Sequence, residues 1–347
     1  MTGALDLDVL GLRVRIELDD DLADQQLRQV QQAWSGAASA ENGAPDLTVP
    51  FSAGADFDRA MERLTVDVTL AALAALRGRT LMFHAAGIAD EDGRVAAFVG
   101  PSGRGKTTLS RELGRHSAYV SDETVAVDSE LRVHAYRKPL SVVRDGAPKQ
   151  QVSPADAGLR DLPEKALRLT SLVLMERDGE LDQPEIVPIS LADALPEIVP
   201  QMSYLRDQDK PLQAIAALSD AVGGIRRLRY PDSSSVPALL PEFMTSTGLA
   251  SPWQPAPGAV ASGPYSVDVV DDAIVTDGFV IVMADATLHV LDGIAPAIWL
   301  ACGRGAEFDG IVDAVVTEFG APPEGEAHAL VQQATDELVT AGVLRRR

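Results

Sequence analysis

The chain has 347 residues, 46% of them hydrophobic, and because single cores stop growing at roughly 250 to 300 residues, two domains are the expectation. A formal charge of -21 repels the phosphate backbone that Lys and Arg must neutralise, which excludes nucleic acid as a partner. No run approaches the ~18 apolar residues of a membrane span, and the start "MTGALDLDVLG" lacks the basic and long apolar regions of a secretory signal, so the expected location is the cytoplasm with no membrane partner.

Segment 9–17, "VLGLRVRIE", alternates apolar and polar residues and predicts a half-buried strand, with helical character following over 22–34. Met61, Leu64, Val68, Ala71, Leu73 and Leu76 recur at helical intervals and predict a long helix over 57–77. "TLMFHAAGIAD" then opens a run of short strands. "RVAAFVG" predicts a buried strand, and residues 107–115 the helix after it. "AYVSDETVAV" predicts a second strand with acids at its middle, "LRLTSLVLMER" at 167–177 another, and "IRRLRYP" at 225–231 the last of this domain.

Residues 245–265 are dense in Pro, Gly, Ser and Ala without an apolar period, which reads as a linker between a first domain at 1–244 and a second at 266–347. Past it, "SVDVVDDAIVTDGFVIVMADATLHVLDG" predicts three short strands with a tight turn at Asp277-Gly278. Three helices follow. Cys302, the only cysteine, lies at helical spacing from Ile298 and Trp299 and is expected in packing rather than as a reactive thiol. Phe308, Ile311, Val312, Val315, Val316 and Phe319 form a stripe that commits one face of the second helix to a core. The third helix begins after Pro322-Pro323, runs through Ala327, Leu330, Val331, Ala334 and Leu338, and stops at Gly342.

The chemistry concentrates in "FVGPSGRGKTTLSREL", residues 98–113, which fits the spacing of a phosphate-binding loop between a strand and a helix. Gly100, Gly103 and Gly105 let consecutive amide hydrogens turn inward at the positive end of the helix, and Ser102 and Arg104 complete the loop. Lys106 supplies a cation for the outer phosphates, Thr107 a hydroxyl for the accompanying magnesium, and Thr108 follows at the helix start. ATP and Mg2+ are therefore the expected cofactors.

Such a loop needs a carboxylate for metal or base, and Asp122 stands 16 residues past Lys106 on a strand that could neighbour the loop strand. Glu123 stands beside it. Strand alternation would turn one acid toward the phosphates and the other away unless the strand has ended; Asp122 is expected as metal ligand or base, with Glu123 in reserve, against the blander reading of an exposed acidic turn. His84 reaches the same place if "DEDG" closes a hairpin, or else is an ordinary core histidine. Arg137 with Lys138, and Arg226 to Arg229, either meet anions or are solvated charge. His116, His134, His289 and His328 show no ligand spacing.

Together, "FHAAGIA", "FVGPSGRGKTTLSREL" and "YVSDETVAV" resemble the HPr kinase/phosphorylase family, whose nucleotide fold is shared with ATP-dependent phosphoenolpyruvate carboxykinase. The likeness is good over about 80–130 and loose over 60–235. It implies an α/β (mixed-sheet) kinase domain, with family roles falling on His84, on Lys106 with Thr107, and on Asp122 with Glu123, where the family has a second Asp. The family's later loop for docking HPr is not found, so HPr is not the expected substrate. HPr kinases are commonly oligomers, which makes a homo-oligomer an implication of the resemblance alone.

"LDGIAPAIWLACGRGAEFDGIVDAVVTEFG" and the closing "ATDELVTAGVL" resemble a PqqD-like domain, the small winged-helix module called a RiPP recognition element. Such modules add the leader of a ribosomal precursor peptide as an extra strand beside their third strand, against the third helix; the alternative, a DNA-reading winged helix, is weakened by the chain's acidity. The two resemblances together imply a kinase acting on a Ser or Thr of a leader-bearing peptide. A small-molecule kinase and a non-enzymatic, nucleotide-bound peptide adaptor are the alternatives.

Overall fold

In the computed structural model, which describes residues 3–40, 43–101, 103, 105–144, 147–245, 250–258, 262–323 and 326–347, the chain is a mixed α/β protein divided into two units. One comprises Met1–Ile189, Pro200–Asp207 and Ala221–Gly248; the other comprises Ser190–Val199, Gln208–Asp220 and Leu249–Arg347.

The first unit is organised around a six-stranded sheet in the order Glu185–Ile189, Ile225–Tyr230, Arg168–Arg177, Arg94–Val99, Ala85–Ala89, Ala118–Ser121. The apolar runs at 94–99, 168–177 and 225–230 lie parallel to one another, as uninterrupted hydrophobic strands do when both faces are covered. The helix Lys106–Gly114 covers one face, where its Leu109 and Leu113 join Ile88, Phe98, Val173 and Leu228 in one core. Phe243 closes that core edge-to-face on Phe98, with ring centres 4.9 Å apart.

A four-stranded sheet adjoins it in the order Met202–Ser203, Leu81–Phe83, Val125–Val127, Val133–His134. Two chain segments cross between the sheets. One bends at His84 between Leu81–Phe83 and Ala85–Ala89, and the other bends at 122–124 between Ala118–Ser121 and Val125–Val127. The expectation of one continuous strand over "AYVSDETVAV" is thus corrected. The Ser121 hydroxyl oxygen accepts the backbone N–H groups of Glu123 and Thr124, each at 3.1 Å, and this local turn displaces the ladder. Nor does the acid strand adjoin the loop strand, because Ala85–Ala89 runs antiparallel between them.

The strand expected over 9–17 is instead a hairpin of Gly3–Val9 and Leu12–Leu18, joined by Leu10 (φ 53°) and Gly11 (φ 83°). Two residues at positive φ make the turn whose twist matches the strands, and apolar residues on both arms imitate one longer alternation. Leu47–Phe51 extends this sheet. The helix Phe57–Ala75, capped by Asp56 accepting Arg59 N–H at 3.1 Å, packs Leu64 and Val68 with Trp34, Met82 and Tyr136. The helix expected over 22–34 spans Asp24–Ala33.

The second unit holds a four-stranded antiparallel sheet ordered Trp253–Pro255, Asp272–Thr276, Phe279–Ala284, Thr287–Leu291, and the helices Ala295–Gly303, Phe308–Phe319 and Ala327–Thr340. Its first strand falls within the segment expected as linker. Asp277 (φ 50°) and Gly278 (φ 84°) form the anticipated hairpin turn. Ile298, Trp299, Ile311, Val315, Val331, Leu338 and Val343 share the core, in which the Trp299 indole donates to Val343 O at 3.1 Å. Cys302 is buried there, and burial pushes its thiol pKa up to about 12, in keeping with a packing role. The stripe on the second helix buries Ile311, Val312 and Val315, whereas Phe319 at its end is 51% exposed. Leu191–Ile198 also belongs here, as does the helix Pro211–Ala221 apart from its last residue; that helix starts on Asp272, whose carboxylate accepts the N–H groups of Leu212 and Gln213 at 2.8 and 3.0 Å. No described helix is long and apolar enough to cross a membrane.

Candidate functional site

The strand Arg94–Val99 delivers the chain into the glycine loop, and the helix Lys106–Gly114 leaves it. Gly105 caps that helix at φ 90°, a conformation that costs a side-chain-bearing residue energy. The first N–H groups of the helix have no carbonyl partners within it, and the macrodipole adds positive potential, so this end of the helix favours negative charge. Thr107 is half-buried and Thr108 exposed at its start. Ser102 and Arg104, the other expected loop contacts, lie outside the described residues.

Lys106 is buried, and its ammonium donates to Gly100 O at 2.6 Å and Pro101 O at 3.1 Å. Burial lowers its pKa from the ordinary lysine value, while the carboxylates of Glu123 and Asp122 act to raise it. Both acids therefore act on the loop lysine.

Strand register explains why. "DEDG" does close a hairpin, pairing Ala85 with Val99, so His84 comes level with Gly100 at the mouth of the loop. On its other edge Ala85–Ala89 pairs Gly87 with Ser121, and Ala85 N–H donates to Glu123 O at 3.2 Å. Loop, histidine and acid pair thus meet at the carboxyl ends of the parallel strands, where open α/β sheets bind ligands.

Asp122 is 5% exposed, and its Oδ1 accepts the Tyr119 hydroxyl at 2.9 Å and lies 3.3 Å from Lys138 Nζ. The same ammonium stands 3.6 Å from Glu123 Oε2, and the Glu123 side chain keeps 38% of its surface. His84 Nδ1 lies 2.9 Å from Glu123 O and 3.6 Å from Glu123 Oε1. Because the strand has ended at Ser121, alternation does not separate the acids, and Lys138 bridges them. Burial and the neighbouring Asp122 raise the Tyr119 pKa well above the usual phenol value, which keeps its hydroxyl a donor.

Tyr119 is the site residue that sequence reasoning missed. Three residues apart on a straight strand, Tyr119 and Asp122 would face opposite ways; only the break after Ser121 lets them touch. Lys138 is buried in the site rather than solvated. Arg137 beside it is also buried, pairs with Asp161 at 2.9 Å, and leaves Nε without a hydrogen-bond partner among the described residues. The arginine cluster is engaged elsewhere: Arg226 donates to Glu242 O and Phe243 O, Arg227 to Glu176, and Arg229 to Asp178 and Glu185. A cavity of about 340 Å³ framed by Gln29, Gln32, Phe57, Met61, Gln151 and Asp156 includes none of the loop or acid residues.

The donor set suits a magnesium nucleotide. Thr107 and Asp122 offer the hard oxygens magnesium takes, and the ion keeps several waters and leans on substrate phosphates rather than on an all-protein cage. The described residues gather no group of three or more His, Cys, Asp or Glu side chains that could hold a metal ion.

No family model matches the chain, and no curated protein does. Among solved structures it is similar to the HPr(Ser) kinase/phosphatase from Coxiella burnetii, at 14% identity and a TM-score of 0.27, over 47% of this chain and 92% of that one. A TM-score that low leaves the chemistry to be argued from the chain's own residues.

Proposed function

We propose that the chain is an ATP-dependent kinase that transfers the terminal phosphoryl group to a Ser or Thr hydroxyl of a ribosomally made precursor peptide, whose leader the C-terminal unit binds. The observation that carries the kinase reading is the meeting of the glycine loop and Lys106 with the Lys138-bridged pair Asp122 and Glu123 at one end of the sheet.

In this reading the loop amides cradle the phosphates, and Lys106 exchanges its bonds to Gly100 O and Pro101 O for phosphate oxygens. Thr107 and Asp122 would hold magnesium, which would supply positive charge to neutralise the phosphates. Glu123, the more exposed acid, accepts the acceptor hydroxyl's proton as the hydroxyl oxygen bonds to the terminal phosphorus and the bond to the ADP oxygen breaks. His84, bonded at the main-chain Glu123 O and 3.6 Å from Glu123 Oε1, steadies the turn that carries that carboxylate. Positioning and charge stabilisation are most of what phosphoryl transfer asks of a protein.

For the peptide, support comes from the PqqD-like segments and from Thr287–Leu291, which ends its sheet with no described strand on its outer side. Val290 on that strand is 37% exposed and Leu330 on the third helix 47%. A leader added there would gain backbone hydrogen bonds for affinity and apolar pockets for specificity, and a tethered leader raises the local concentration of the peptide's core.

Intact-mass analysis of Ser- or Thr-bearing precursor peptides incubated with the protein and magnesium-ATP tests the proposal. One phosphoryl group gained only when the leader is attached is the expected result. ATP consumption without any peptide phosphorylation would favour a small-molecule acceptor.

A further inference from the structure

Lys138 is 4% exposed, and among the described residues its ammonium hydrogen-bonds only the neighbouring Pro139 O, at 3.4 Å. Its ammonium otherwise stands 3.3 Å from Asp122 Oδ1 and 3.6 Å from Glu123 Oε2. A buried ammonium is stable only when paired, and here the pairing is with the two carboxylates that the kinase reading gives to metal and base. The carboxylate of Asp122 is thus claimed by Lys138 and, in the kinase reading, by a divalent cation.

We infer that Lys138 is a positioning residue that holds Asp122 and Glu123 together by offsetting part of their charge, and that it guards Asp122 against divalent cations that arrive without nucleotide. The inference rests on the reading of Asp122 as the magnesium ligand. A free cation must displace the ammonium and finds no phosphate oxygens in exchange. A nucleotide-borne cation brings negative phosphates, toward which the ammonium can turn while Glu123 keeps its other side. Lys138 thereby makes cation binding conditional on nucleotide.

The test is titration of the nucleotide-free, full-length protein with Mn2+, read by the loss of free Mn2+ signal in electron paramagnetic resonance. The wild type should bind Mn2+ only weakly, K138R should match it, and K138M should bind about tenfold more tightly or better, because the carboxylates lose their competing charge. A K138M chain that folds only when Mn2+ is present would support the inference equally. Tight Mn2+ binding by the wild type, equal affinity in wild type and K138M, or a K138M chain that stays unfolded at every Mn2+ concentration would overturn it. No ATP or peptide enters the titration, so its failure is distinguishable from a failure to phosphorylate the precursor peptide.

Discussion

Tyr119 places a neutral donor against a buried carboxylate, and the two sustain each other: the phenol stays protonated and the acid stays fixed. Hydrogen bonds to charged groups contribute about 1.5–3 kcal/mol, so Tyr119→Phe should lower the unfolding free energy by about that much near neutral pH. That contribution fades in alkali. A phenol whose folded pKa is raised contributes stability that is whole below its unfolded pKa near 10 and is lost as pH rises toward the folded value, at about 1.4 kcal/mol per pH unit. Tyr136, buried on the other side of the same region, is raised in the same direction. Urea titrations above pH 10 should therefore show a shallower decline for Tyr119→Phe than for wild type, and parallel slopes would deny that the phenol is buried against Asp122.

At the scale of elements, the site is made by strand breaks more than by strands. Ser121 is wholly buried, and its oxygen holds two backbone N–H groups that start the turn carrying Asp122 and Glu123. Ser121→Ala leaves those donors unpaired, at a cost of about 1–3 kcal/mol, and should slow phosphoryl transfer while leaving the nucleotide's dissociation constant nearly unchanged, since the loop is untouched. Calorimetric titration beside a transfer assay checks this. The glycine loop, its strand and its helix were legible because spacing and hydrophobic runs encode them directly. The break at Ser121 was not legible: a serine inside "AYVSDETVAV" is compatible with a ladder, and the competing hydrogen bonds appear only in three dimensions. The same holds for Leu10-Gly11, where the two arms of a hairpin read as one alternation. Lys138, 16 residues past Asp122, entered the sequence reading as loop charge, because its role depends on the second sheet's return toward the acids.

Across the molecule, Thr287–Leu291 ends the four-stranded sheet of the second unit with no described strand beyond it, and it is the strand to which the proposal assigns the leader. Within the second unit, Trp299 donates to Val343 O, which joins two segments far apart in sequence through one core contact. If that unit reads a leader, Val290→Asp and Leu330→Glu should each weaken leader binding about tenfold, the cost of burying a charge in an apolar contact, with nucleotide binding unaltered; fluorescence anisotropy of a labelled leader peptide measures it. The central claim is that Lys106 and Asp122 divide the labour of one transfer reaction. The measurement that tests it most directly follows ATP binding and phosphoryl transfer to a leader-bearing peptide side by side in wild type, Asp122→Asn and Lys106→Ala. The account predicts that Asp122→Asn still binds ATP but loses transfer, and that Lys106→Ala is weakened in both; equal turnover by wild type and Asp122→Asn would contradict it.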